Sequence, residues 1–175
     1  EKVLYLTFDD GPTPGVTDWV LNILDKYDAK ATFFLVGKNA DLYPDLVKLI
    51  SKKHAIGHHT YAHPNARKVS NFHYYRDVLK GEGSVPSKFF RPPYGRLKWH
   101  QIKTLSKKFK LIYWDVISGD FDVTIEAEDC YKRVVKHAGN GSIIVFHDSI
   151  KAEVRLKGSL ERILDLHWEA AQAGE

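Results

Sequence analysis

The sequence contains no methionine and a single cysteine, Cys130. One thiol closes no intrachain disulfide and builds no cysteine metal cluster, so disulfide-stapled folds and cysteine-ligated zinc modules are excluded and the redox compartment stays open. Long apolar runs are also missing. No stretch approaches the ~20 residues a helix needs to cross a bilayer, and the N-terminus shows no signal-peptide pattern. Residue 1 lies at the threshold of the first strand-like run and is not methionine, so the chain reads as an excised or mature domain. Concentrated charge is absent too. Lys and Arg number 26 against 22 Asp and Glu, a formal charge of +4. The basic residues are scattered and form no stripe, which argues against a nucleic-acid footprint and leaves an acidic or envelope-associated partner compatible with the surplus.

What is present is enough apolar material for one sizeable core: 43% of 175 residues are hydrophobic, and nothing resembles an interdomain linker or a repeat. Residues 1–175 are therefore expected to form one domain. Short runs rich in β-branched and aromatic residues, at 3–8, 31–36, 111–114 and 143–146, suit parallel strands buried on both faces. Further short strands are expected at 54–59 and 89–91. Between them lie amphipathic stretches at helical spacing: residues 20–27, 42–50, 102–109, 131–135 and 160–168. This β-then-α alternation predicts an α/β fold with a parallel sheet, whether doubly wound or a barrel, and both place functional groups at strand C-terminal ends.

Polar clusters follow most of those strand-like runs: Thr7-Phe8-Asp9-Asp10-Gly11-Pro12, His59-Thr60-Tyr61-Ala62-His63, Arg91-Pro92-Pro93-Tyr94-Gly95, Asp120 and Val145-Phe146-His147-Asp148. A DDG sequence after a strand serves equally as a polar turn or as two carboxylates pointing apart, one ligating a metal and the other acting as base. His59 and His63 are four apart, which on a helical turn places both imidazoles on one face. Most such pairs are surface or core histidines; with one carboxylate added, this pair makes a His₂Asp set of the kind found in catalytic zinc sites. The two prolines stiffen the Arg91 loop. Such a loop is either a rigid surface turn or a device aiming a guanidinium at a carboxylate and a backbone N–H at a developing oxyanion. His147 reads either as a packed histidine or as a titratable group placed for proton transfer.

With these motifs in this order, the chain resembles the NodB-homology polysaccharide deacetylases, carbohydrate esterase family 4, over nearly its whole length. The resemblance implies a deformed (β/α) barrel and a metal-dependent hydrolase that removes acetyl groups from a polysaccharide. N-deacetylation of peptidoglycan or chitin-type GlcNAc polymers is the leading expectation. An acetylxylan O-deacetylase and a carbohydrate-binding pseudoenzyme are the alternatives. By motif match, Asp9 is the general base, Asp10, His59 and His63 ligate a divalent ion (zinc, or cobalt or nickel), and His147 is the general acid. Arg91 would tether Asp9, Asp120 would orient His147, and the Tyr94 N–H would help bind the oxyanion. An extracellular or envelope setting for the full-length protein follows from the substrate class.

Several positions depart from the family pattern. His58 stands where a small polar residue is usual, and a neighbouring imidazole there would perturb the metal site or offer an alternative ligand. Phe121 replaces a Trp and Ile117 an Asp, changes that bear on substrate preference, whereas Val145 replaces a Leu that usually helps line the acetyl-methyl pocket, a conservative change in an apolar role. Val145, Phe146 and Trp114 are candidates for an apolar wall against the acetyl methyl, with core packing the competing role for Trp114. The segment 170–175 carries no closing strand, which predicts a shortened or open barrel.

Overall fold

The computed structural model describes residues 3–172. Its spine is a parallel sheet of seven strands: β1 (Tyr5–Asp9), β2 (Ala31–Leu35), β3 (Ala55–His58), β4 (Phe89–Phe90), β5 (Lys110–Leu111), β6 (Val116–Ile117) and β7 (Ile143–His147). Their spatial order is β5-β4-β3-β2-β1-β7-β6, with every pairing parallel. Among the described residues β5 and β6 are not paired, so the sheet curls into a half-barrel and leaves a gap between its two edges. This is the incomplete barrel expected from the sequence; residues 173–175 of the terminal segment lie outside the described residues.

Helices α1 (Val16–Lys26), α2 (Gly37–Leu42), α3 (Pro44–Ser51), α4 (Asn71–Ser84), α5 (Trp99–Leu105), α6 (Ala127–His137) and α7 (Glu153–Gln172) connect and flank the strands. Alternation along β1 sorts the two faces of the sheet. Leu6 and Phe8 join the main core with Val20, Leu24, Phe33, Ile144, Phe146 and Leu160, while Thr7 and Asp9 line cavities on the concave side. A smaller core beneath α4 and α5 gathers Tyr74, Val78, Phe90, Leu105 and Phe109.

Three elements differ from the sequence expectation. The run at 111–114 is strand only to Leu111, and the chain rejoins the sheet as β6, because the carbonyls of Ile112 and Tyr113 turn to the Arg91 guanidinium at 3.2 and 3.1 Å. The helix expected over 42–50 is two helices meeting at Tyr43-Pro44, since proline suits a helix start and cannot continue one. Helix α4 was absent from the expectation. Its sequence has little apolar periodicity, but Ser70 caps it by accepting from the His73 N–H at 3.3 Å.

Candidate active site

Because every strand runs the same way, the polar clusters emerge at one edge of the sheet. Asp9 is in register with His147 on β7 and with Phe34 on β2. His59 follows β3, Arg91 follows β4, and Asp120 follows β6. They meet at a cavity of about 440 Å³ whose lining includes Asp9, Asp10, His59, His63, Tyr94 and His147.

The two carboxylates of the DDG turn diverge. Asp9 is buried and its Oδ1 accepts from Arg91 Nη1 at 2.7 Å. The same Nη1 also donates to Thr7 Oγ1 at 2.7 Å, and with the Ile112 and Tyr113 carbonyls and the Phe34 ring, 4.1 Å from the guanidinium carbon, this accounts for a fully buried arginine. Asp10 turns the other way on a left-handed backbone, φ 82°, and its Oδ1 lies 3.3 Å from His63 Nε2 and 3.8 Å from His59 Nε2. Burial pushes its carboxyl up, but the His63 hydrogen bond and the charges of His147, His59 and His63 outweigh this and hold it well below the usual carboxylate range.

Asp10, His59 and His63 each offer a ligand atom, and these atoms lie within 4.8 Å of one another. The expectation that a helical turn aligns the two histidines is not met. They sit on a loop bent by positive φ at Thr60 (67°) and His63 (56°), stitched by the His63 N–H donating to Thr60 Oγ1 at 3.0 Å. His59 Nδ1 faces the Arg91 carbonyl at 2.6 Å, so that nitrogen carries the proton and Nε2 is left with its lone pair free, 3.8 Å from Asp10 Oδ1 and 3.9 Å from Asp9 Oδ2. Burial lowers the His59 imidazole to about 4, keeping it neutral at ordinary pH. A neutral imidazole with its tautomer fixed, a second imidazole and an ionised carboxylate form a donor set that fits a borderline divalent cation such as Zn²⁺.

His58 is not a fourth ligand. Strand alternation sends it to the opposite face, where its ring stacks on Phe90 at 4.7 Å and meets the edge of Phe109 at 4.8 Å. Both ring nitrogens there lack a hydrogen-bond partner, and burial lowers the imidazole to about 4.

Across the cavity, Asp120 holds His147 twice. Its Oδ1 meets the ring Nδ1 at 2.7 Å and its Oδ2 accepts from the backbone N–H at 2.8 Å. Burial alone would depress this imidazole, yet the hydrogen bond and charge of Asp120, with the charges of Asp9 and Asp10, raise it to about 9. Tyr94 sits on a left-handed backbone, φ 60°, at the tip of the stiff loop. Trp114, Ile117, Phe121 and Val145 complete an apolar side of the cavity, with Phe121 edge-on to the His147 ring at 5.1 Å. Phe146, expected in that wall, instead faces the main core, because it alternates with Val145 along β7.

Supporting residues escaped the sequence reading. Asp148 is fully buried and accepts from the Gly11 N–H at 3.0 Å and from Thr17 Oγ1 at 2.6 Å, pinning the DDG turn; a Cβ at Gly11 would collide with its carboxylate. Burial and the Asp10 charge push its carboxyl up to about 8. Asp77 on α4 accepts from the N–H groups of Tyr61 and Ala62 at 2.8 and 3.0 Å and so fixes the histidine loop. Arg155 Nε donates to the Asp120 carbonyl at 2.7 Å. The position of Asp148 beside His147 was a signal available in the sequence; nothing local marks Asp77 or Arg155. Of the five non-glycine residues with positive φ among the described residues, Asp10, Thr60, His63 and Tyr94 belong to this site, the clustering of strained backbone that accompanies functional centres.

A family model described as polysaccharide deacetylase matches residues 1–111. A peptidoglycan-N-acetylglucosamine deacetylase of Bacillus cereus is 36% identical over 167 residues, which cover 90% of this chain and 59% of that protein. A second Bacillus cereus protein of the same name is 33% identical over 172 residues, covering 94% of this chain and 81% of its own length. Among solved structures, a peptidoglycan N-acetylglucosamine deacetylase in complex with a 4-naphthalen-1-yl-N-oxidanyl-benzamide aligns with a TM-score of 0.87 at 31% identity, over 97% of this chain and 82% of that one. The present chain thus spans about three fifths of the first of these relatives.

Proposed function

The chain belongs to the polysaccharide deacetylase family, and from that premise we propose that it is a metal-dependent hydrolase removing N-acetyl groups from GlcNAc units of peptidoglycan or a chitin-type polymer. The observation that carries the reading is the placement of two differently held proton-transfer groups, Asp9 on Arg91 and His147 on Asp120, around one Asp10–His59–His63 donor set in a single cavity. A binding module needs neither the base nor the acid. The names of the relatives support the N-acetyl over the O-acetyl reaction and peptidoglycan as the substrate.

Asp10, His59 and His63 would hold the cation, with zinc the best match to the two imidazoles and one carboxylate, and cobalt or nickel as substitutes. When bound, such an ion supplies Lewis acidity toward the acetyl carbonyl and toward water. The residues do the rest. Asp9, fixed by Arg91 at 2.7 Å, takes the proton of the attacking water. The Tyr94 N–H, offered by the stiff loop, donates to the oxyanion as charge develops. His147, kept protonated by Asp120, gives its proton to the departing sugar nitrogen. Trp114, Ile117 and Val145 exclude water beside the acetyl methyl.

The experiment is acetate release from acetylated glycans of several kinds, with the protein stripped by chelator and then given Zn²⁺, Co²⁺ or Ni²⁺. Release from chitooligosaccharides or peptidoglycan that depends on the added ion is expected. Release from acetylxylan alone would transfer the activity to O-acetyl groups, and no release from any glycan with retained affinity would make the chain a binding protein.

A further inference from the structure

The exposed side of α4 carries His73, Arg76 and Lys80 at helical spacing. With Tyr61, Pro64 and Val69 they line a groove of about 430 Å³. This groove is continuous in the chain with the candidate active site, because Tyr61 and Pro64 bracket His63, which lines the catalytic cavity. Its one acidic lining residue, Asp77, has its Oδ1 engaged by the N–H groups of Tyr61 and Ala62, and its single charge is outnumbered by Arg76 and Lys80. The cations rest on rings: Lys80 Nζ lies 3.6 Å from the centroid of Tyr61, and the Arg76 guanidinium carbon 5.5 Å from that of Phe72. A ring face holds a cation in place while leaving its outward N–H donors available to an anion. The catalytic cavity itself is lined by two further cations, Arg96 and Lys151.

We propose that this groove is a subsite for a carboxylate-bearing part of the glycan strand, with Arg76 and Lys80 as its recognition residues, so that the protein prefers an anionic polysaccharide to a neutral one. The proposal rests on the deacetylase reading and deepens it. A strand lying across the catalytic cavity would continue along the histidine loop, and a neighbouring sugar or its substituent would come to rest against α4. A neutral chitin-type strand offers only hydroxyl and amide groups there. A strand bearing lactyl ether carboxylates, or peptide stems ending in carboxylates, offers the charge that two cations one helical turn apart recognise.

The test is equilibrium binding by calorimetry to three probes of equal length: an N-acetylglucosamine tetramer, an alternating tetramer with free lactyl carboxylates, and the latter bearing peptide stems. Two exposed charge contacts predict about fivefold to tenfold tighter binding of a carboxylated probe than of the neutral one at low salt. That margin should shrink at roughly 0.3 M salt, where screening is short-ranged, and disappear in Arg76→Gln/Lys80→Gln while affinity for the neutral tetramer holds. Tight binding of the free lactyl form identifies that group as the source, and a preference confined to the stem-bearing form identifies the peptide. Equal affinity for all three probes, or a margin that survives the double substitution, overturns the subsite. Since the readout is binding, a protein that releases no acetate would end the enzymatic reading while leaving this measurement decisive.

Discussion

Asp9 and Asp10 are chain neighbours that are held differently: both lie near His59 Nε2, at 3.9 and 3.8 Å, but Asp9 is fixed by a buried guanidinium and Asp10 by the second imidazole, His63. Substitution should therefore separate them. Asp9→Asn fills the same space but cannot take a proton, so it should keep bound metal and lose on the order of 10²–10⁴-fold in turnover. Asp10→Ala should lose metal and activity together, and a large excess of Zn²⁺ should recover part of the activity. Elemental analysis and acetate release on each variant decide this; an empty Asp9→Asn beside a loaded Asp10→Ala would exchange the two roles. His147 gives a pH signature. Its imidazole must be protonated to act as acid, and Asp120 raises it to about 9 against its burial, so kcat should hold through neutral pH and fall as pH rises toward that value. A cation on Asp10 cancels part of that support and moves the limb somewhat lower. Asp120→Asn removes the charge partner, and the basic limb should fall toward or below the ordinary imidazole value of ~6.5. A limb that stays in place would show that another group sets it. The pair carries a stability term of the same sign: with the folded value raised, its contribution is complete below the unfolded imidazole value and is lost as pH climbs through about 9.

At the scale of elements, the histidine loop owes its shape to α4. Asp77 fixes two of its amides, and Gly81 lets the helix approach so closely that a Cβ there would stand 2.5 Å from the Thr60 carbonyl carbon. Removing the Asp77 contacts should leave the core intact while loosening a ligand loop, a supporting-residue effect that typically weakens metal affinity 10–100-fold. Asp77→Ala is expected to show that loss by competition with a chelating dye, with metal-free thermal stability changed little. Unchanged affinity would make the contacts merely structural. None of this was legible locally. The HxxxH spacing pointed to convergence of His59 and His63 but suggested a helix, because spacing alone does not distinguish a helical turn from a loop with two left-handed residues. Helix α4 itself went unseen because only Tyr74, Val78 and Gly81 are buried along it, too few to print a periodic apolar face. The run at 111–114 misled in the opposite sense: it has strand composition, yet its carbonyls are captured by an arginine some twenty residues earlier.

For the whole molecule, alternation of strand and helix patterns was sufficient to read a parallel sheet with its polar clusters at one edge, since parallel strands have only one C-terminal edge. The strand order and the gap between β5 and β6 depend on long-range pairing that local pattern does not encode. A cation in the candidate site would have a mechanical role. β1 and β3 are separated by β2, so a cation shared by Asp10 after β1 and His59 and His63 after β3 would tie two non-adjacent strands, while Arg91 after β4 already reaches Thr7 and Asp9 across the concave face. An ion bound only by the folded arrangement stabilises it by mass action, about 2.7 kcal/mol at a hundredfold excess over Kd. For a chain of this length that corresponds to a rise in Tm of roughly 5–10 °C. Thermal unfolding with and without Zn²⁺ should show this rise in the wild type and in Asp9→Asn, and lose most of it in Asp10→Ala. Because the donor atoms come from strands on either side of β2, a folded Asp10→Ala protein that kept the full rise would place the stabilising ion elsewhere, and a wild type with no rise would mean that this donor set does not close on a cation.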